Sequence, residues 1–477
     1  MTRSLDEAEL DAILGPVSAP PTLPATHRPV RQPVHTVYGG AHLFTANSAH
    51  KLGRLALVAL ERWAGDSLTF ARALGMAGAQ ELPTQPAAVA ALHAEFTRDA
   101  ASLRRSQPAA WLAETVYQRV REKLAREPVE DFRIDFEDGY GHRPDAEEDA
   151  HAEAAAHAVA QGLAENSLPP FLGIRIKALD AATGRRAART LDRFLQTLLA
   201  ASDQRLPPGF VVTLPKVGRE AEVRALVALL EAIEARSGLE AGSLHIELMV
   251  ETAGALIGIE GRFALPALVE AGCGRVVGAH FGVYDYTAEM GLTAGEQRLD
   301  HPACDLARGL MQIALAGTGV HSSDGATNIL PVPSTPDTGD AEAARLRRHE
   351  VHAGWRRHFQ HARRSLARGL YQGWDLHPAQ LPSRYAAVFS FFLEDLEVMT
   401  YRLRCFVEKA ARATLSGDVF DDAATGQGLL NLFLRGLACG AVTGAEAEAT
   451  GLTLDELHSR SFQRILAIRA ADAARTP

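Results

Sequence analysis

Short apolar runs alternate with longer stretches of helical periodicity along most of this chain. Each run is short enough for a single strand, and most of the runs end in a polar or charged residue. Apolar runs separated in this way are typical of buried parallel strands rather than of exposed hairpins. The predicted strands are Pro33–Gly39, Phe132–Asp138, Phe171–Lys177, Phe210–Val217, Leu244–Thr252, Arg275–Asp285, Gly319–Ser322 and Gly369–Pro378.

Eight strands that are each followed by a helical stretch predict an α/β fold of the (β/α)8 TIM-barrel class. An open doubly wound sheet is the alternative, and its dinucleotide-binding form carries a glycine-rich turn after the first strand. The sequence at that point is GGAHLFTA, which lacks this turn. We therefore expect a closed barrel.

The predicted domain organisation has three segments. Residues 1–33 form an N-terminal arm or linker, because the proline-rich PVSAPPTLPATHRPVRQP cannot pack as a regular element. Residues 34–400 form the catalytic barrel, with a long polar loop at Ser323–Asp340 after the seventh strand. Residues 401–477 form a helical C-terminal extension. Helical periodicity near and within it covers Tyr385–Leu415, Gly426–Cys439 and Thr453–Ala474.

Composition narrows the class of protein. A hydrophobic share of 47% supports a large core, and a net charge of −9 argues against nucleic acid as a main partner. The four cysteines form no C-x-x-C pair, which favours a reducing compartment over a disulfide framework or a thiolate zinc site. No apolar leader and no run of about 18 apolar residues occurs. We expect a cytoplasmic protein without a membrane partner.

Polar residues at the strand ends supply the candidate chemistry. In a TIM barrel the carboxyl ends of the strands form one mouth, where the functional residues collect. Several carboxylates and at least one fixed cation would meet there, which indicates an enzyme. The candidates are Glu137, Asp138, Arg175, Lys216, Glu251, Asp285 and His377.

Glu251 and Asp285 are the candidate metal ligands. Each one alone is as well explained by a helix cap or a salt bridge. Together they lie at the ends of adjacent predicted strands, and oxygen ligands of this kind suit Mg²⁺ or Mn²⁺. Mg²⁺ often takes only one or two protein carboxylates and keeps several waters.

Arg175 is the candidate anion-binding residue. Its neighbours Ile174 and Ile176 point to the opposite face of the strand, and an unpaired buried guanidinium would be costly. An arginine that faces the mouth, held by Glu137 or Asp138, could bind a substrate carboxylate through two hydrogen bonds. The alternative is a purely structural ion pair with these acids.

The remaining candidates have open roles. Lys216 either contacts substrate or pairs structurally with Glu251. One of the three acids in the segment Asp135–Asp138 orients Arg175 or transfers a proton. His377 precedes a proline, so its backbone is extended, and a hydrogen-bonded wall residue is the favoured interpretation. The same interpretation is favoured for two histidines near other strand ends, His280 and His321.

Six motifs in this order resemble the HpcH/HpaI aldolase and citrate lyase β-subunit superfamily. They are RIDFEDGYG, GIRIKALD, TLPKV, LMVETAGAL, VGAHFGVYDYTAEMGL and GWDLHPAQL, and they cover roughly residues 130–390. The resemblance implies a phosphoenolpyruvate/pyruvate-type TIM barrel and a divalent metal on Glu251 and Asp285. It also implies that Arg175 binds a substrate carboxylate or thioester-side oxygen.

Further positions follow from the same resemblance. The DLED-like motif of the superfamily corresponds to Asp135–Asp138, and its HP-x-Q motif corresponds to His377–Gln380. The sequence departs from the superfamily at Lys177, where asparagine is common, and at Tyr284, where a small or acidic residue is common. It also has the long insertion at Ser323–Asp340. These departures lie near the expected substrate, so they leave its identity open.

The function implied by the resemblance is a Mg²⁺-dependent carbon–carbon lyase or aldolase. It would cleave or form a 2-hydroxy or 3-hydroxy carboxylate, free or as a CoA thioester, through a metal-stabilised enolate. Catalytic roles are expected for Arg175, Asp138 and Glu137, and substrate contacts for Arg175, Lys216 and His377. The protein is expected to be a homo-oligomer.

Two rival functions stay open from the sequence. A metal-independent glycoside hydrolase could use two carboxylates as acid and nucleophile, although aromatic residues for sugar platforms make up only 6% of the chain. A catalytically silent barrel that binds a metabolite is the other. Carboxylate separation and metal titration distinguish the first rival, and ligand binding without turnover distinguishes the second.

Overall fold

Eight parallel strands hydrogen-bond to one another in chain order, and the eighth pairs with the first. The chain is therefore a closed (β/α)8 TIM barrel, which confirms the predicted fold class. This computed structural model describes residues 31–408, 414–416, 419–421, 423–459, 461, 462, 464, 465 and 469. The barrel strands are β1 (His35–Gly40), β2 (Asp131–Asp135), β3 (Phe171–Arg175), β4 (Val211–Leu214), β5 (His245–Val250), β6 (Val276–Phe281), β7 (His321–Ala326) and β8 (Gln372–Asp375).

Helices cover the barrel and continue beyond it. The helices up to β6 are α1 (Ser48–Trp63), α2 (Ser67–Leu74), α3 (Pro86–Ser106), α4 (Pro108–Arg126), α5 (Asp145–Glu165), α6 (Gly184–Ala201), α7 (Glu220–Ser237), α8 (Ala253–Leu256) and α9 (Leu265–Ala271). The later helices are α10 (Val283–Glu289), α11 (Pro302–Leu315), α12 (Ala341–Ala367), α13 (Leu381–Leu393), α14 (Leu396–Glu408), α15 (Ala423–Cys439), α16 (Gly444–Glu448) and α17 (Leu454–His458).

The helices after β8 form the described part of the C-terminal extension. Helix α15 packs against α13 and α14, so the extension rests on the helix that follows the last barrel strand. A short antiparallel pair, β9 (Thr414–Ser416) and β10 (Val419–Asp421), lies between α14 and α15. None of the helices in the described ranges is long and apolar enough to span a membrane.

Charged side chains fill the middle of the barrel, where branched aliphatic residues are usual in this fold. Arg133 on β2 donates from Nε and Nη2 to the two carboxylate oxygens of Glu247 on β5, at 3.1 and 2.7 Å. Arg133 also pairs with Asp131, and Nε2 of His280 lies 2.8 Å from Glu247 Oε2. These side chains are buried, so each charge requires its partner.

Apolar residues alternate with these charges along the strands and face the helices. Ile134, Ile174, Val212 and Ile246 are fully buried between the sheet and the helix layer. They are the residues that made the strands recognisable in the sequence. The polar partners inside the barrel did not hide the pattern because they occupy the other face of each strand.

The predicted loop at Ser323–Asp340 begins too early. Strand β7 continues to Ala326, and only the residues after it connect to α12. Asp324 is a polar residue within this strand, and it accepts hydrogen bonds inside the structure from Arg308 Nη1 at 3.0 Å and from Ser365 Oγ at 2.5 Å. In the sequence, a buried polar strand residue of this kind resembles a loop residue, and the predicted loop therefore begins too early.

Two other predicted elements have different limits. The strand predicted at Arg275–Asp285 ends at Phe281, and Asp285 lies in the first turn of α10. The helical stretch predicted at Tyr385–Leu415 is divided into α13 and α14. Helix α2 was not predicted at all.

Parts of the terminal predictions lie outside the described residues. For the predicted arm these are residues 1–30. Of the helix predicted at Thr453–Ala474, the structure describes α17 and a few residues after it.

We expect Arg133→Met to lower the free energy of unfolding by about 3–5 kcal/mol. The substitution leaves the carboxylates of Glu247 and Asp131 buried without their cation. Chemical unfolding followed by circular dichroism measures the change, with Arg357→Met, at an exposed position on α12, as the control. Equal effects of the two substitutions would show that the central ion pairs contribute little.

Candidate active site

The carboxyl ends of neighbouring strands bring together most of the predicted site residues. Glu137 and Asp138 follow β2, Arg175 ends β3, Lys216 follows β4 and Glu251 follows β5. Asp285 reaches the same cluster from α10, where its carboxylate lies 3.2 Å from the Lys216 ammonium. The cluster therefore joins five successive strand ends at one mouth.

Arg175 is held by Asp135, its neighbour across the β2–β3 pair. Nε and Nη2 of Arg175 donate to the two oxygens of Asp135 at 2.7 and 2.6 Å. The same oxygens accept the backbone N–H groups of Glu137 at 2.9 Å and Gly139 at 2.7 Å. Asp135 thus orients the arginine and also fixes the turn that carries Glu137 and Asp138.

Aromatic rings support the buried guanidinium of Arg175. It lies 4.8 Å from the ring centroid of Tyr38 and 5.6 Å from that of Trp374. Its Nη1 makes no hydrogen bond to any residue in the described ranges, although it is 3.2 Å from Glu137 Oε2. Burial alone would lower the pKa of Arg175, but the hydrogen bonds and charge of Asp135, with the charge of Glu137, outweigh it and raise the pKa.

The ammonium group of Lys216 lies among the acids of the mouth. It is 2.8 Å from Glu137 Oε1, 3.2 Å from Asp285 Oδ1 and 3.7 Å from Asp138 Oδ1. Burial would lower the pKa of Lys216, yet the negative charges of Glu251 and Glu137 raise it above its ordinary value. Lys216 is therefore a protonated cation that links acids from different strands.

The backbone of Lys216 is also unusual. Its φ is +51°, a left-handed conformation that costs free energy in a residue with a side chain. In this conformation its N–H donates to Glu251 Oε1 at 2.6 Å. The segment after β4 thus holds Glu251 through the main chain, while the side chain reaches other acids.

Glu251 is a buried carboxyl group next to other acids. Burial and the charge of Asp285 raise its pKa to about 7, although Lys216 and Arg175 act in the opposite direction. Gly282, at the end of β6, passes directly beside it. A Cβ atom at Gly282 would lie 2.4 Å from Glu251 Cβ and 2.6 Å from its Oε2, so only glycine leaves room for this carboxylate.

Glu137 and Asp138 are adjacent in sequence but differ in protonation. Burial and the neighbouring charge of Glu137 raise the pKa of Asp138 to about 6. Burial would raise the pKa of Glu137 too, but Arg175 and Lys216 lower it below its ordinary value. Asp138 is half exposed to the mouth and can exchange protons near neutral pH, whereas Glu137 stays ionised.

Negative charge exceeds positive charge in the mouth. Arg175 and Lys216 are the cations in contact with the acids of this cluster, which are Asp135, Glu137, Asp138, Glu251 and Asp285. Burial is the main cause of the raised pKa values of Glu251 and Asp138, and the neighbouring acids Asp285 and Glu137 add to it. No three or more His, Cys, Asp or Glu side chains within the described ranges converge as a complete metal site. A cation bound here would therefore need oxygen atoms from substrate or water as well.

His377 lies in the turn after β8 rather than in the acid cluster. Its Nδ1 accepts the Ala379 N–H at 3.1 Å, and Gln380 Oε1 accepts the His377 N–H at 3.2 Å. The Gln380 amide also donates to the Thr327 carbonyl at 3.1 Å. The HP-x-Q segment thus ties the β8 turn to the end of β7.

At the two positions where the residue type departs from the superfamily pattern, Lys177 and Tyr284, the side chain donates a hydrogen bond to a main-chain carbonyl. The Lys177 ammonium donates to the Phe136 carbonyl at 2.6 Å and to Glu148 at 2.7 Å, toward the helix layer. The Tyr284 hydroxyl donates to the Ala326 carbonyl at 3.0 Å.

The sequence does not predict three residues of the site. They are Tyr38 and Trp374, beside Arg175, and Gly282, beside Glu251. Trp374 and Gly282 lie within recognised motifs, but no periodic signal distinguishes them.

No curated protein matches the sequence. Similar solved structures include a citrate lyase from Burkholderia xenovorans LB400, with 23% identity, a TM-score of 0.49, and coverage of 70% of this chain and 92% of that chain. The CitE protein of Mycobacterium tuberculosis, in complex with magnesium, acetoacetate and coenzyme A, has 19% identity and a TM-score of 0.42, covering 68% and 95%. A malate synthase of Haloferax volcanii has 17% identity and a TM-score of 0.40, covering 64% and 80%.

A family model matches almost the entire sequence, from residue 22 to residue 465. The chain belongs to this family, which is described as a domain of unknown function, DUF6986.

Proposed function

We propose that this protein is a divalent-cation-dependent carbon–carbon lyase or aldolase of the HpcH/HpaI superfamily, acting on a carboxylate substrate. One observation carries the proposal: among the residues that the structure describes, five carboxylates and two cationic side chains meet in the mouth of the barrel. The six sequence motifs that resemble the superfamily support the same function. The substrate is a 2-hydroxy or 3-hydroxy carboxylate, either free or as a CoA thioester.

Glu251 and Asp285 would hold the cation, Mg²⁺ or Mn²⁺. Both offer hard oxygen ligands, and Glu251 Oε1 is already oriented by the Lys216 N–H. When bound, such a cation supplies positive charge that stabilises the oxygen that becomes negative as a carbon–carbon bond breaks. Asp285 would exchange its contact with the Lys216 ammonium for the cation.

Arg175 would bind a carboxylate or carbonyl oxygen of the substrate. Asp135 already takes Nε and one Nη2 hydrogen, so the outer edge of the guanidinium is what remains for a ligand. Nη1 on that edge makes no hydrogen bond within the described part of the chain. The aromatic support and the Asp135 pair keep this edge in one orientation before substrate arrives.

Lys216 would contribute charge rather than a covalent bond. A lysine that forms a Schiff base needs a lowered pKa, and the acids around Lys216 raise its pKa instead. Released from Asp285, its ammonium could contact a substrate oxygen while it remains paired with Glu137.

Asp138 would move the proton. Its pKa of about 6 and its exposure to the mouth suit a group that gains and loses a proton at neutral pH. Glu137 would position Arg175 and Lys216, because both cations hold it in its ionised form. His377 would contact substrate from the rim.

The setting of the protein is also a proposal. All four cysteines are free thiols, which supports a reducing compartment such as the cytoplasm. The helical extension would pair subunits in a homo-oligomer.

We expect Glu251→Gln and Asp285→Asn each to weaken Mn²⁺ binding about tenfold or more, because each removes a charged oxygen ligand. Titration followed by electron paramagnetic resonance measures free Mn²⁺ directly. Glu296→Gln, at an exposed acid near α11, is the matched control and should bind as the unaltered protein does. Equal affinity in all four proteins would place the cation elsewhere.

We expect the unaltered protein with Mg²⁺ to cleave at least one member of a panel of 2-hydroxy and 3-hydroxy acids and their CoA thioesters. Arg175→Met should lower kcat/KM about 100-fold or more, because the protein loses the fixed positive charge that would bind the substrate. Asp138→Asn should remove the fall in rate that protonation of this group causes at low pH.

Product analysis by mass spectrometry measures cleavage. Absence of cleavage across the panel, together with absence of Mn²⁺ binding, would contradict the proposed function. Metal-independent hydrolysis of a glycoside would favour the rival enzyme class instead.

A further inference from the structure

A cavity of about 790 Å³ lies at the end of the barrel opposite to the mouth. Val34, just before β1, and His321, the first residue of β7, form its barrel side. Helices α13 and α15 contribute the other walls, through residues such as Val388 and Leu434. The cavity thus lies between the amino-terminal end of the barrel and the helical extension, and its volume is typical of small-molecule sites.

Arg435 on α15 brings an unneutralised positive charge to this cavity. It forms no ion pair with any carboxylate in the described ranges, and burial lowers its pKa. Its Nη1 donates to Gln32 Oε1 at 3.0 Å, and its guanidinium carbon lies 3.9 Å from the ring centroid of Tyr371. One neutral acceptor and one ring therefore support a half-buried cation.

Arg31 shows the contrast within the same cavity. Its guanidinium is 2.5 Å from Glu127 Oε1 and 2.6 Å from Glu130 Oε1, so its charge is neutralised. A buried guanidinium without such a partner carries a desolvation cost that the protein does not offset. Arg435 is therefore the cation in this cavity that could gain most from an added anion.

Apart from the two arginines, apolar residues make up most of the lining, together with His321, His458 and a few neutral polar groups. Asn431 and Gln427 lie beside Arg435 on α15. The apolar walls consist of Leu366, Val388, Phe392, Leu434, Leu437 and Leu454. A ligand that fits both features has an anionic head for the guanidinium and an apolar body for these walls.

We propose that this cavity binds a small amphipathic anion, with a carboxylate or phosphate head at Arg435 and a hydrocarbon body against α13 and α15. A guanidinium binds either head group through paired N–H donors. The site is separate from the mouth and does not depend on the function proposed for it.

Calorimetric titration of the full chain tests the proposal. The probes are octanoate and octyl phosphate, with acetate as a head group without a body and octanol as a body without a charge. We expect one or both octyl anions to bind, and acetate and octanol to bind about tenfold more weakly or not at all. The relative affinities of octanoate and octyl phosphate identify the preferred head group.

Substitutions locate the site. Arg435→Met should weaken binding of the octyl anions about tenfold or more, and Arg435→Lys should restore part of it. Lys216→Met, which removes a partly exposed cation from the mouth, and Arg357→Met, at an exposed arginine, should leave the affinity unchanged. Because Arg435 has no carboxylate partner among the residues that the structure describes, its replacement by Met should not lower the thermal unfolding midpoint.

Three results would overturn the proposal. The first is failure of both octyl anions to bind. The second is unchanged binding in Arg435→Met. The third is loss of binding in Lys216→Met, which would assign the anion to the mouth.

Discussion

The fork of hydrogen bonds between Asp135 and Arg175 is the interaction on which the candidate site depends. The two residues are partners in the β2–β3 register, so the barrel itself sets their separation. Asp135 also accepts N–H groups from Glu137 and Gly139, and Arg175 lies over the ring of Tyr38. One ion pair therefore fixes an acidic turn, a cation and its aromatic support together. Loss of either partner would leave a buried charge and release the turn.

The two levels of the barrel interior differ in their charge balance. In the middle of the barrel, Arg133 contacts Asp131 and Glu247, and His280 lies beside Glu247, so charges are paired within the fold. In the mouth, acids outnumber cations among the described residues, and burial together with the charge of Asp285 raises the pKa of Glu251. Uncompensated charge costs free energy and serves no purpose in folding. It lies at the carboxyl ends of the strands, where TIM-barrel enzymes act, and this position is the basis for the cation that we propose.

Much of the fold could be predicted because helix-facing strand residues such as Ile174 keep their apolar pattern. The extent of β7 could not be predicted, since Asp324, which accepts a buried hydrogen bond, resembles a loop residue in the sequence. The cluster of acids followed from the strand order alone. The left-handed backbone of Lys216 and the close approach of Gly282 to the carboxylate of Glu251 did not, because they arise from contacts between distant segments. For the same reason, no local sequence pattern could have predicted that Arg435 on α15 lines a cavity.

The central claim is that a divalent cation compensates the excess negative charge in the mouth. Calorimetric titration with Mg²⁺ in buffers of different ionisation enthalpy tests it most directly, because it counts the protons released on binding. Glu251 has a pKa of about 7 and Asp138 a pKa of about 6, so both are partly protonated near pH 6. Our account predicts net proton release near pH 6 that disappears by about pH 8.5, where both groups are already ionised. Mg²⁺ binding without proton release near pH 6, or no binding at either pH, would contradict it.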